Sequence, residues 1–252
     1  MRKSIFHKID NGLISGILLA SMPKSGSSYT TSMLAKVDNI RIENIVSGIM
    51  DSAQIDTGML ATALSQNKHS SFIAQSHIVC SDFPLELIEK KYLVPLVLTR
   101  NLPDTVISLI DHQVASGVKV SNIEQKCEYF IQIMVPWLLT FFASWVKYPN
   151  FKNVWIRYED LSENNQKYFN KVTATLGVED VIVKRPVQKK YHSPSDFVAN
   201  HHFNRGINNR GFKIMSARQI ELIKKLIILS EIPHQFSEYL LTGIWETGHK
   251  DL

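Results

Sequence analysis

One stretch limits what this chain can fold into more than any other. An apolar run ends at Ser21-Met22-Pro23-Lys24-Ser25-Gly26-Ser27-Ser28, and a helix-compatible segment follows from Tyr29 and Thr30. That order reads as a buried strand, a tight loop and a helix N-terminus. The first N–H groups of a helix lack intrahelical partners and sit at the positive end of its dipole, so such a place attracts anions. Gly26 lets backbone approach an oxyanion closely, Ser27 and Ser28 add hydroxyl donors, and Lys24 adds a mobile positive charge.

The loop is not a Walker motif. That motif places its lysine directly after the last glycine, whereas Lys24 lies two residues before Gly26. The order suits a phosphate or sulfate ester. A plain strand-to-helix turn with a surface lysine would use the same letters, so the rest of the chain must decide. Its 252 residues, 44% hydrophobic and 20% charged, suit one soluble α/β domain spanning 1–252. A net charge of +5 without a long basic run argues against nucleic acid and fits a small polyanion. Cys80 and Cys127 are too few for a disulfide framework and carry no zinc spacing, so a reducing cytoplasm is expected. Arg2, Lys3 and Lys8 before the apolar stretch 13–20 imitate a signal peptide. Cleavage there would damage the Lys24 loop, so the stretch reads as a strand. Residues 131–146 are strongly apolar but contain Gln132 and Pro136, and read as a kinked core helix too short to span a membrane.

Apolar runs at 13–21, 71–75, 93–99 and 153–157 read as strands separated by helical patterns. This predicts a doubly wound, three-layer α/β/α fold around a parallel sheet. Ser216 with Gln219 forms a capping-box pattern ahead of a helix carrying Ile220, Ile223 and Ile227. Residues 184–213 are rich in Lys, Arg and His, and read either as a solvated basic loop or as a cover over phosphates.

Ligands of open α/β sheets lie beyond the C-terminal strand ends, and each expected strand ends in reactive residues. The first leads to Lys24, the second to Ser76-His77, the third to Arg100-Asn101 and the fourth to Arg157-Tyr158-Glu159-Asp160. Arg100, with Ser108 eight residues later on a helix, can grip one phosphate from two sides. His77 has the pKa range of a general base. Glu159 and Asp160 read as braces for the next helix.

Together these motifs resemble the sulfotransferases that use 3′-phosphoadenosine-5′-phosphosulfate (PAPS), in the correct order over about residues 14–230. Lys24, Ser25, Gly26, Ser27, Ser28 and Tyr29 resemble the family's 5′-phosphosulfate loop. Arg100 and Ser108 resemble its 3′-phosphate site, and Tyr158 in Tyr158-Glu159-Asp160-Leu161 resembles its adenine neighbour. Arg205-Gly206 resembles the start of its late loop, with Asn209 where a second glycine is expected. Tyr29 takes the place of a tryptophan that often stacks on adenine. His77 falls where the family has its catalytic base, but Gln75 replaces a lysine two residues earlier. The resemblance implies PAPS as co-substrate without a metal, His77 and Lys24 as catalytic residues, and a small-molecule or glycan acceptor. Two alternatives remain at this point. A nucleotide-dependent kinase would need a Walker lysine and an acidic Mg²⁺ ligand, and a non-catalytic nucleotide-binding protein would keep the fold alone. The segments 41–68, 111–121 and 187–202 are expected to line the acceptor site.

Overall fold

The structure, a computed structural model, describes residues 16–38, 40–48, 53–66, 72–176, 208–230 and 232–245. The chain divides into two compact units. One comprises Met1–Thr99 with Ser144–Lys189, and the other Arg100–Ala143 with Lys190–Leu252.

The first unit holds a five-stranded parallel sheet flanked by helices. Its strands are β1 (Gly16–Ser21), β2 (Arg41–Ile42), β5 (Phe72–Ser76), β6 (Leu93–Thr99) and β7 (Trp155–Arg157), in the order β2-β5-β1-β6-β7. β1 lies in the middle and is buried along its whole length, as a strand covered on both faces must be. The helices are α1 (Ser27–Asp38), α2 (Thr57–Ser65), α3 (Asp82–Glu89), α6 (Phe151–Val154), α7 (Tyr158–Glu163) and α8 (Asn165–Thr175).

The expected strands are present with small shifts. The fourth begins at Trp155, not at residue 153, because α6 occupies the preceding residues. The edge strand β2, and the two-residue pair β3 (Val46–Ser47) and β4 (Gln54–Ile55), were not expected; each is too short to show a period.

The second unit contains α4 (Leu102–Ala115), α9 (Arg210–Ile214), α10 (Ala217–Leu229) and α11 (His234–Thr242). Asn101 caps α4 by accepting from Asp104 N. The capping box at Ser216 and Gln219 is formed in both directions, and the Gln219 amide also donates to the Glu124 carbonyl at 2.8 Å.

α5 (Ile123–Val146) supplies residues to both units. It continues through Pro136, and at 24 residues it is long and apolar enough to cross a membrane by length and composition. The expectation that it falls short of a span therefore fails on length. Half of its most apolar window is nevertheless buried. Ile131, Val135, Leu138 and Phe142 form a hidden stripe at helical spacing, so it packs as a core helix. In the second unit Phe142 meets Phe236 edge to face at 5.4 Å. In the first, Trp145 Nε1 donates to the Ile78 carbonyl at 3.0 Å.

Candidate active site

Register fixes the first cluster. β1 pairs Ala20 with Ser76 of β5 and Ser21 with Leu98 of β6. Met22 N then donates to Leu98 O at 2.8 Å, and the chain leaves the sheet. Two residues in the loop that follows are left-handed: Lys24 at φ 62° and Gly26 at φ 88°. A left-handed lysine is strained, and such strain persists where the surroundings fix it. Ser25 is buried and its hydroxyl donates to Met22 O at 2.6 Å, which ties the loop to its own base. What Ser25 can offer a ligand is its backbone N–H. α1 starts at Ser27 with no acidic residue in its first turn, so its positive end stays uncompensated.

The loop is braced from α7 and α8. A Cβ on Gly26 would stand 3.1 Å from Tyr158 Cδ2 and from Leu161 Cδ2, so close packing as well as positive φ requires glycine there. Thr30 Oγ1 and Tyr168 Oη lie 2.5 Å apart, and Tyr29 Oη donates to Asn165 Oδ1 at 3.0 Å. The Tyr29 ring meets Phe169 edge to face at 5.8 Å and is only 9% exposed. The ring expected beside adenine is thus largely covered by the protein itself. Tyr29 is a buried strut between α1 and α8, because Asn165 offers its hydroxyl an acceptor in the core. Tyr158 is likewise buried, with its ring edge against the loop at Gly26. Asp160 holds Arg157 through two contacts, one of them Nε to Oδ2 at 3.1 Å, and braces α7 as expected.

His77 follows the last pair of β5 and so lies beside the end of β1. Its Nδ1 is 2.7 Å from the Ser21 carbonyl oxygen. A carbonyl can only accept, so Nδ1 carries the proton, and in the neutral ring Nε2 carries the lone pair. Burial pushes the imidazole pKa below its ordinary value of 6.5, and the Lys24 charge adds to this; the bond to Ser21 offsets part of it. The ring is therefore neutral at pH 7. Gln75, in place of a lysine, accepts from Thr31 Oγ1 of α1 at 3.2 Å.

In the second unit Arg100 and Ser108 are 4% and 2% exposed. Arg100 Nη2 stands 3.5 Å from Asp104 Oδ2. Asp104, absent from the sequence-based site, is the hub of this cluster. It accepts from Asn101 Nδ2 at 3.2 Å, from Asn209 N at 2.9 Å and from Gly211 N at 2.8 Å. Its only local signature is Asn101-x-x-Asp104, which reads as a helix cap. Asn209, in the expected glycine's place, adopts φ 62°, a conformation asparagine tolerates better than other side chains. Arg210 pairs with Asp111 at 2.6 Å. Arg205 and Gly206 lie outside the described residues, as does most of 184–213. Among the described residues, no three His, Cys, Asp or Glu side chains are grouped as metal ligands.

A parallel sheet whose central strand runs into a tight loop at a helix N-terminus, with a histidine at the neighbouring strand end, defines an open α/β protein with reactive side chains at its strand ends. The comparisons narrow this class. Residues 15–216 match the family described as the sulfotransferase domain, and the chain belongs to that family of enzymes. Among solved structures it resembles mouse sulfotransferase SULT7A1 complexed with PAP, at 16% identity and TM-score 0.61, covering 90% of this chain and 88% of that one. A sulfotransferase from Alicyclobacillus acidocaldarius matches at 12% identity and TM-score 0.49, over 85% and 96% of the two chains. No curated protein matches the sequence.

Proposed function

We propose that this enzyme transfers the sulfuryl group of PAPS to a hydroxyl or amine of a small-molecule or glycan acceptor, with His77 as general base. The observation that carries this reading is the bond from His77 Nδ1 to the Ser21 carbonyl. It directs the basic lone pair to Nε2 in a ring held beside the Lys24 loop.

In the proposed step the acceptor oxygen or nitrogen attacks sulfur in line, and its proton passes to Nε2 of His77. The bond between sulfur and the 5′-phosphate oxygen breaks. Its electron pair stays on that oxygen as 3′-phosphoadenosine-5′-phosphate (PAP) leaves. Lys24, the backbone N–H groups of Ser25, Gly26 and Ser27, and the Ser28 hydroxyl would stabilise the growing charge. Arg100 and Ser108 would hold the 3′-phosphate, with Arg205 and Gly206 assigned there by resemblance alone. Tyr158 would border the adenine. With Gln75 bound to Thr31 in place of the family's lysine, Lys24 or another basic residue would supply the missing positive charge.

The reading treats residues 1–252 as one functional domain and places it in the cytoplasm. Two cysteines, Cys80 and Cys127, both free, support a reducing compartment. Purified protein should consume PAPS and release PAP with an acceptor panel, without added Mg²⁺. Tight PAP binding with no turnover on any acceptor would favour a non-catalytic nucleotide-binding protein. An absolute Mg²⁺ requirement with ATP would favour a kinase.

A further inference from the structure

We infer that Asp104 is a positioning residue for 3′-phosphate recognition: it fastens the turn at Asn209–Gly211 to the first turn of α4 and orients Arg100. This deepens the PAPS reading and rests on it. A carboxylate beside an arginine assigned to a phosphate looks unfavourable, since it competes with the ligand for the cation. The geometry resolves the conflict. Both carboxylate oxygens are taken by backbone N–H groups, Oδ1 by Gly211 at 2.8 Å and Oδ2 by Asn209 at 2.9 Å. The contact to Arg100 is the longest of the four, at 3.5 Å. Asp104 therefore spends its charge mainly on the turn and only steers the guanidinium. It is itself 1% exposed, and Asn101 holds it through both its backbone N–H and its carboxylate.

The far side of the contact is fitted to the same end. A Cβ on Gly211 would fall 2.3 Å from Pro103 Cβ and 2.9 Å from Asp104 N. The turn can seat on α4 only without a side chain there. Asn209 supplies the left-handed residue of a turn that aims two donors, two positions apart, at one carboxylate. Arg210, between them, pairs with Asp111, about two helical turns beyond Asp104 on α4. Ser108 lies between Asp104 and Asp111 at helical spacing. The turn is thus fixed along the α4 face that carries the residue proposed for the phosphate.

The test compares PAP with AMP, which lacks the 3′-phosphate, by calorimetry. Asp104→Asn keeps the shape but leaves one oxygen, so one backbone N–H must lose its acceptor. Gly211→Ala opens the same contact from the other side, by pressing on Pro103 and the Asp104 backbone, and leaves the Asp104 carboxylate and Arg100 in the sequence. Each variant is expected to weaken PAP binding about tenfold or more, the scale of a charge-assisted hydrogen bond, while AMP affinity stays within about twofold. A purely structural role would lower the melting temperature and leave the PAP-to-AMP ratio intact; that result in a folded variant overturns the inference. Amide exchange on the wild-type protein decides the matter if neither variant folds. PAP, but not AMP, should further protect the Asn209 and Gly211 amides, and equal protection by both nucleotides refutes the role. Equal wild-type affinity for PAP and AMP would sink the PAPS reading itself, and this inference with it.

Discussion

The Lys24 loop and the Arg100 cluster are both proposed to hold a phosphate, and they are built by opposite means. The loop is local and made of backbone. Within six residues it contains two left-handed positions, a serine tied to the carbonyl three residues earlier, and a helix N-terminus without acidic neighbours. The Arg100 cluster is made of side chains, and it is held by donors 105 and 107 residues further along the chain. A backbone site is preorganised whenever its strand and helix are formed, and it can follow charge that develops during reaction. A side-chain site supplies a planar fork that distinguishes one ester from another. The loop is therefore expected to govern rate, and the Arg100 cluster to govern choice of nucleotide.

The largest effect should come from the loop's side of this comparison. His77→Ala is expected to lower kcat by about 10²–10⁴-fold, the usual range for loss of a general base, with PAP affinity near wild type. A folded variant with near-native turnover would move the base elsewhere and dissolve the distinction between a rate site and a binding site. The wild-type rate should also fall as acid protonates the ring. Because burial lowers the His77 pKa, that fall begins below the ordinary value of about 6.5. The same shift bears on stability. The unfolded state binds the proton more readily, so the contribution of this site is present above about pH 6.5 and is lost as pH drops through the lowered pKa. Turnover and thermal melting against pH check both signs, and a rate that holds constant from neutral pH down to the onset of acid unfolding would argue against an imidazole base.

Next in size is the opposite side of the comparison. Arg100→Ala should weaken PAP binding by about 1.5–3 kcal/mol, the scale of hydrogen bonds to charged groups, and should alter AMP binding little. Calorimetry with both nucleotides reads this directly. If PAP and AMP weaken equally, Arg100 serves the fold and the contrast in roles fails.

What the sequence disclosed follows the same division. The four longer strands, the loop, the capping box at Ser216 and the brace at Asp160 depend on residues near one another in the chain, and periodicity or spacing displayed them. The edge strand Arg41–Ile42 and the pair at Val46–Ser47 and Gln54–Ile55 are too short to show a period. The hub at Asp104 looked like an ordinary cap because its decisive donors are distant. The packing of Tyr29 was hidden for the same reason. Its partner Asn165 lies 136 positions away, so a buried hydroxyl satisfied across the core could not be told from an exposed stacking ring.

That buried contact gives a third prediction. Tyr29→Phe removes the donor to Asn165 Oδ1, while Asn165 Nδ2 is already buried without a hydrogen-bond partner. The loss should cost about 1–3 kcal/mol of stability, the penalty for leaving a buried polar group unmet. Denaturant unfolding measures it. PAP affinity should stay within about twofold, since the proposed phosphate contacts remain. Tyr29→Leu, which removes the ring that Phe keeps, tests the stacking role: a folded variant with a strong loss of affinity for PAP and AMP alike would make Tyr29 an adenine contact.

The smallest expected effect probes the weaker arm of the nucleotide-choosing cluster. Ser108 is a neutral donor on α4, four residues beyond Asp104 and therefore on the same face. Ser108→Ala keeps the helix, since alanine has the best helix propensity and the position is already buried. The change should therefore report the hydroxyl alone. It should reduce PAP affinity by about 0.5–1.5 kcal/mol, the net worth of a neutral hydrogen bond, and leave AMP affinity and kcat at saturating PAPS unchanged. Combined with Arg100→Ala it should cost less than the two changes summed, because two groups on one phosphate couple. Strict additivity in that double-mutant cycle would mean that Ser108 and Arg100 do not share a ligand atom group. The Arg100 cluster would then lose its hydroxyl arm, and nucleotide choice would rest on the guanidinium and the turn held by Asp104.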